Sequence, residues 1–597
     1  MFGIGKCKLF GILILFFLIT ATVSGQAVPV DLVQTTAGGW QLLRDGIPYY
    51  IKGAGGDGSK ELLAASGANT FRTWGVGPDL GEQLDEAYKL GLSVVVGHWL
   101  GHTRHGFSYQ DSLAVKEQFD KVLNDVITYK DHPAVLLWGI GNEMEGFAEG
   151  DDPAVWNHVQ DLAAMIKEID PFHPTMTVTA EIGGERVRSV HDLCPDIDIM
   201  GINSYGGLPS VPQRYREQGG AKPVIITEFG PPGVWETRKT EYGAPPELTS
   251  TEKAEFYINS FTAGCLDFEE LCLGGFAFTW GSKLEVTATW YGMFLPDGSK
   301  LAAVDVMTEL WSGELPENLC PEIRKFEIIG TDIRHPDAEM EVILDVVDPE
   351  GEELKVNWSL FQEAPEYLIG EQTQWTPLEL DGIITSSSSQ KAVMSMPGGG
   401  VYRLFITARD GAGGAAVANI PFIVEGEEGD VKYKLPVYVY SDEAPQPWFY
   451  SGWMGNHQEM EIDPTSKVSP YSGETCFKVK YKAAGDWTGI AWQHPANDWG
   501  YKPGGYDLTG AKKLTFWARG EFGNEIVSFG LGLLGSDKEF HDTASGEIKD
   551  IKLKQKWTKY TIDLKNKDLS RIKTPFIFSL VGQRQSVTFY LDDIRFE

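Results

Sequence analysis

The sequence predicts an α/β fold, a (β/α)8 TIM barrel, with two all-β domains behind it. Three observations carry this reading. From about Val30 to Gly313, short apolar runs alternate with helical patterns, the texture of a parallel sheet covered by helices. Eight such runs can be counted, and the length of the stretch suits a closed barrel. Beyond Gly313 the helical patterns stop, and alternating segments separated by Gly, Pro and Asp turns take over.

In chain order, residues 1–25 read as a secretory signal peptide. Lys6 and Lys8 make its start basic, Leu9 to Val23 is apolar, and Val23-Ser24-Gly25 offers small residues for cleavage. The apolar run is near the lower length for a span, so a retained anchor is the alternative; after cleavage no stable membrane association is expected.

Residues 26–314 form the expected barrel. Its strands are YYIKG from Tyr49, ANTFRTW from Ala68, LSVVVGH from Leu92, VLLWGIGNE from Val135, TMTVTA from Thr175, DIMGINSY from Asp198, VIITEFG from Val224 and GGFAFTW from Gly274. Ser112 to Tyr129 repeats apolar residues at three and four, as a surface helix does. Residues 315–427 read as an immunoglobulin-like sandwich and residues 428–597 as a further domain, β-rich and aromatic from about Val431, where the linker EGEEGD ends.

Composition narrows the partners. With 51 basic and 84 acidic residues the formal charge is −33. Such a surface repels nucleic acid and anionic polysaccharide, so no nucleic-acid partner is expected and a neutral polysaccharide or oligosaccharide suits better. The oligomeric state is left open. Of the cysteines beyond the leader, Cys265 and Cys272 are close enough in sequence to bridge, while Cys194, Cys320 and Cys476 read as small buried apolar groups.

Two glutamates carry the chemistry. Glu143 ends strand 4 and Glu228 ends strand 7, which puts both carboxylates at the barrel face where active sites are built. One carboxyl group that protonates a leaving oxygen and one that attacks an anomeric carbon make a retaining glycosidase. On this reading Glu143 is the acid/base and Glu228 the nucleophile. Asn142 can donate to a sugar hydroxyl beside the anomeric carbon. Arg72 can hold Glu228 and keep it ionised, Tyr205 can add a hydrogen bond to it, and Trp280, closing strand 8, can offer a flat face to a sugar ring. Glu145 and Glu181 also lie near strand ends and compete for these roles. His98, His102 and His105 cluster after strand 3 without the carboxylate–histidine pattern of a metalloenzyme, and His98 is read as a substrate contact. No cofactor is expected for catalysis.

Together WGIGNE, TEFG, NTFRTW, INSYGG and the FTW of strand 8 resemble clan A glycoside hydrolases, above all the barrels of family 2 and of the family 72 β-1,3-glucan-modifying enzymes. The resemblance covers roughly Val30 to Gly313. It implies retaining double displacement, with the roles just given for Glu143, Glu228, Arg72, Asn142, Tyr205 and Trp280. Family 2 barrels follow β-sandwich domains, whereas here barrel-like sequence starts almost directly after the leader, so family 2 substrates are not carried over. The cysteine-rich module of some family 72 enzymes is lacking.

The segments VYVYSDE, LTFWARG, WTKYTIDL and FYLDDIRFE resemble a jelly-roll carbohydrate-binding module. That resemblance implies a polysaccharide ligand, with Trp453, Trp487, Trp492 and Trp499 as stacking candidates, and a structural calcium with Asp442 and Asp593 as ligands. The middle domain resembles the spacer sandwiches of secreted glycosidases, and its DPEGEE turn is an acidic turn that could bind calcium. The expectation is a secreted retaining β-glycoside hydrolase or transglycosylase on a neutral polysaccharide, β-1,3-glucan first. The alternatives are an exo-acting β-galactosidase-like enzyme on oligosaccharides and a catalytically silent polysaccharide-binding protein.

Overall fold

Eight parallel strands close on themselves in the order that a (β/α)8 barrel requires. The computed structural model describes residues 26–597 except 37, 147, 337, 365–366, 368–369, 371–376, 428–430, 443, 445 and 584, so the leader expected over residues 1–25 lies outside the described residues. Three short strands, β1 (Val30–Gln34), β2 (Trp40–Arg44) and β3 (Ile47–Pro48), pair as a small antiparallel sheet. The barrel follows: β4 (Ile51–Gly55), β5 (Thr70–Arg72), β6 (Ser93–His98), β7 (Val135–Asn142), β8 (Thr175–Ala180), β9 (Ile199–Asn203), β10 (Val224–Phe229) and β11 (Cys272–Phe278). They form one closed sheet in the order β10-β11-β4-β5-β6-β7-β8-β9.

All eight runs read from the sequence are strands, because residues buried on both faces of a parallel sheet must be apolar almost throughout. Every residue of β7 and of β10 is buried. Gly97 shows the steric limit near the site: a Cβ there would lie 2.2 Å from the Thr73 carbonyl, so β6 can approach the end of β5 only with glycine. The helix expected at Ser112–Tyr129 is present, with Asp111 capping it by accepting from the amides of Leu113 and Ala114. The small β1–β3 sheet has no counterpart in the sequence reading, since its strands are short and only partly buried.

The chain divides into two compact units, Met1–Phe229 with Phe261–Ala277, and Gly230–Ser260 with Phe278–Glu597. In the second unit a sandwich of two four-stranded sheets is followed by a six-stranded and a five-stranded sheet. In Glu339–Val347, Met340, Val342 and Leu344 are buried, the period of two that the sequence showed.

The sandwich is more than a spacer. Within the second unit it grips Gly230–Ser260 around one buried carboxylate, Glu247, which accepts from Thr287 Oγ1 (2.6 Å), Thr289 Oγ1 (2.8 Å) and Asn419 Nδ2 (2.6 Å) and pairs with Lys253. Arg403, itself buried, donates to the Pro245 carbonyl (2.9 Å), to Asn419 Oδ1 and to Glu363. The sequence hid this because the bonds that join the sandwich to the segment, Asn419 to Glu247 and Arg403 to Pro245, link residues more than 150 positions apart. All five described cysteines are free and buried, Cys265 and Cys272 included. Among the described residues, no helix is long and apolar enough to cross a membrane.

Candidate active site

Strand tips of the barrel bring the predicted polar groups together. Arg72, the last residue of β5, is buried and sends Nη1 to Glu228 Oε1 (3.0 Å) and to the Thr227 carbonyl (2.8 Å), and Nη2 to Asn142 Oδ1 (2.7 Å). Burial works against the guanidinium charge, and the Glu228 carboxylate works for it. Tyr205 donates to Glu228 Oε2 at 2.8 Å, as expected. Trp74, which sequence reasoning passed over although it closes the NTFRTW segment, donates its indole N–H to Glu228 Oε1 at 2.7 Å. Glu228 therefore accepts from a cation, an indole and a phenol, a donor set suited to an anion.

Glu143 has a different environment. It sits one residue past β7 in the left-handed region, with φ of 51°. That conformation costs a non-glycine residue about 1–2 kcal/mol and tends to mark a functional position. Its Oε1 accepts from Asn203 Nδ2 at 2.9 Å. Burial, and then the charge of Glu228, raise its pKa above the ordinary carboxylate value. Asn203, also missed from sequence, has its Oδ1 occupied by Thr227 Oγ1 (2.8 Å), which fixes its amide so that nitrogen faces Glu143. Asn142 is fixed the same way: Oδ1 accepts from Arg72 and Asn203, leaving its amide N–H free of those two bonds to meet a sugar hydroxyl.

The competitors find other work. Glu145 is buried and bonded to Ala180 N (2.6 Å) and Arg186 Nε (3.0 Å), and burial pushes its pKa up to about 7. Glu181 pairs with Arg214 at 2.7 Å and is only partly buried.

Among the residues expected at the barrel site, two need correction. Trp280 does not close the last strand: β11 ends at Phe278, and Trp280 is fully buried, its ring edge-on to Phe294 and tilted against Trp311. Packing on both neighbours leaves no face for a sugar. His98 is buried against Trp138, and burial lowers its pKa to about 4, so it is a neutral packing residue rather than an exposed substrate contact. Of the other two histidines, His102 stacks on Trp99 with ring centroids 4.8 Å apart and lies 5.6 Å from His105.

In the C-terminal module the four tryptophans separate. Trp487 is 53% exposed and lies opposite Val581, itself 57% exposed, and Trp453 is 37% exposed beside His457. Trp499 is half-buried. Trp492 is a core residue packed among Phe477, Phe576 and Phe578, which corrects its assignment as a ligand platform. Asp442 Oδ2 accepts from the amides of Glu474 and Thr475, both at 2.7 Å, and so caps a turn, and Asp442 joins no metal-sized group of side chains among the described residues. Asp593 has φ of 44° and joins no metal-sized group of side chains among the described residues. The carboxylates that do approach one another within 4.8 Å are Asp348, Glu352 and Asp410, part of the DPEGEE turn and its neighbour. Amides of Glu350, Glu352, Gly411, Ala412 and Gly414 already bind their oxygens.

Comparison with known proteins agrees with this geometry. Residues 62–241 match the family described as glycosyl hydrolases family 2, TIM barrel domain. Over these residues the barrel is similar to those of family 2 glycoside hydrolases. In the same chain, residues 436–597 match carbohydrate binding domain 30. A beta-glucuronidase of Paenibacillus borealis is 25% identical over 324 residues, 47% of this chain and 52% of that protein. A beta-glucuronidase of Sus scrofa is 30% identical over 199 residues, 30% of this chain and 28% of that protein. The chain thus spans about half, or less, of the length of these curated relatives. Among solved structures, beta-D-glucuronidase of Dictyoglomus thermophilum superposes with a TM-score of 0.38 at 17% identity, covering 48% of this chain and 54% of that one.

Proposed function

We propose that the chain is a secreted retaining β-glycosidase that acts on a β-linked polysaccharide, with Glu228 as nucleophile and Glu143 as acid/base. The observation that carries this reading is the unequal treatment of two buried strand-tip carboxyl groups: Glu228 receives three donors, one of them cationic, while Glu143 receives one and is pushed towards its protonated form. Environments that set two carboxyl groups apart are how one site supplies both an anion and an acid.

The steps follow from the bonds. Oε1 of Glu228 is occupied by Arg72 and Trp74, so Oε2, with the single Tyr205 bond, attacks the anomeric carbon. Glu143 gives its proton to the departing oxygen, and a glycosyl ester forms on Glu228. Glu143, now an anion stabilised by Asn203, takes a proton from water or an acceptor hydroxyl, which opens the ester with a second inversion. The Asn142 amide strengthens its bond to the neighbouring hydroxyl as positive charge grows on the sugar.

For the sugar, a neutral β-glucan is our first reading, since a chain of net charge −33 disfavours a polyanionic polymer. A terminal glucuronide is the second, favoured by the names of the matching relatives and by Arg104, whose charge reaches Glu143. Aryl β-glucosides and aryl β-glucuronides assayed side by side decide between them: turnover of the glucoside alone supports the first, and of the glucuronide alone the second.

The module serves as a polymer anchor on this reading. Deleting residues 428–597 leaves activity on soluble oligosaccharides nearly unchanged and lowers activity on insoluble polymer, because tethering raises local concentration without touching the transition state. Trp487→Ala weakens retardation of the full chain in glucan-containing gels, whereas Trp492→Ala, a core truncation, lowers Tm instead. Unaltered mobility of Trp487→Ala would remove this residue from the binding face.

A further inference from the structure

Glu143 holds a backbone conformation that a glutamate does not choose, and such a residue persists only where its surroundings over-determine it. The turn it opens has few ties of its own: Gly146 N donates to the Glu143 carbonyl (2.9 Å), and Ala148 N to the Glu145 carbonyl (3.0 Å). The Glu143 amide donates to the Val178 carbonyl of β8 (2.9 Å), and further ties of the turn come from Arg186, the first residue of the helix Arg186–Leu193 that follows β8. Arg186 uses all three of its donor nitrogens there: Nε binds Glu145 Oε1 (3.0 Å), Nη2 binds the Ala148 carbonyl (2.9 Å), and Nη1 binds the Gly183 carbonyl of its own loop (2.7 Å). Glu145 returns to the barrel through the amide of Ala180, the last residue of β8 (2.6 Å), and Glu185 N reaches the Glu149 carbonyl (2.8 Å). Arg186 and Glu145 thus tie the far side of the turn, at Glu145 and Ala148, to the end of β8 and the segment after it, and the Glu145 side chain is fully enclosed.

We propose that Arg186 and Glu145 are positioning residues for the acid/base: their ion pair holds the Glu143–Gly146 turn, and Ala148 beyond it, so that Glu143 keeps its left-handed backbone and meets the leaving oxygen. This rests on the assignment of Glu143 as the acid. Neither residue touches the reacting atoms, and both act through the turn. A lysine at 186 keeps the charge but has one nitrogen where three are used, so it restores only part of the effect.

A double-mutant cycle separates positioning from general stability. With phenyl and 2,4-dinitrophenyl glycosides of the sugar the protein turns over, Arg186→Ala lowers kcat/KM about a hundredfold on the phenyl substrate, the scale of a misplaced catalytic group, and far less on the activated one. In a Glu143→Ala background the same substitution has almost no effect, since the group it positions is gone. Glu145→Gln shows the same pattern more weakly, and Arg186→Lys lies between wild type and Arg186→Ala. Hydrogen exchange without substrate shows faster exchange at the amides of Glu143–Gly146 and Ala148 in Arg186→Ala. An equal loss on both leaving groups and in both backgrounds, or unchanged exchange, overturns the proposal. Glu143→Ala with no leaving-group dependence of its own overturns the acid assignment and this inference together, whereas normal dependence there with an unaffected Arg186→Ala overturns the positioning role alone.

Discussion

Glu228→Ala abolishes turnover of every substrate, by on the order of 10⁵-fold, the scale seen when a covalent nucleophile is deleted. Good leaving groups do not rescue it, because the missing step is formation of the glycosyl ester rather than protonation. The fold survives, since alanine leaves Arg72 bonded to the Thr227 carbonyl and Asn142, but Arg72 is then a buried cation without its counter-charge, and Tm falls as well. Glu228→Gln keeps the shape and the donors' partner oxygen, so it separates the chemical loss from the structural one. Substantial turnover by either variant on an activated aryl glycoside contradicts the assignment.

Glu143→Ala behaves differently. Activity on phenyl glycosides falls by about 10²–10⁴-fold, the contribution of a positioned general acid, while glycosylation from a 2,4-dinitrophenyl glycoside is largely retained because that leaving group needs no proton. Azide restores turnover by attacking the ester from the face that Glu143 vacates. The pH profile gives an independent check. The pKa of Glu143 is raised, so wild-type kcat/KM falls as pH rises through a value above the ordinary glutamate range, and this alkaline limb vanishes in Glu143→Ala. A limb that stays in the variant belongs to another group.

Much of this site was legible in the sequence because strand-end residues of a barrel converge whatever their separation in the chain. Glu143, Glu228, Arg72, Asn142 and Tyr205 all follow or end apolar runs, and the structure joins them. Trp74 and Asn203 stand at equally readable strand ends, yet nothing in their residue type distinguishes a hydrogen-bond donor to a carboxylate from a packing indole or a turn amide. Trp280 failed for the converse reason. An aromatic beyond a strand end can face the site or fold back on the core, and the nearby rings of Phe294 and Trp311 draw it inward. Trp492 and Trp487 are five residues apart on one strand and reach opposite fates, because strand parity decides which face is core and no pattern around them marks the register. The Glu247 and Arg403 cluster was beyond sequence altogether, since a buried ion pair looks like any surface charge until its distant partners are in place.

The measurement that tests the central claim most directly is the anomeric configuration of the first-formed product, read by proton NMR before mutarotation. Attack by Glu228 and then by water inverts the anomeric carbon twice, so the product keeps the β configuration of the substrate. An α product formed first would show that water attacks directly, and would contradict the role of Glu228 as nucleophile.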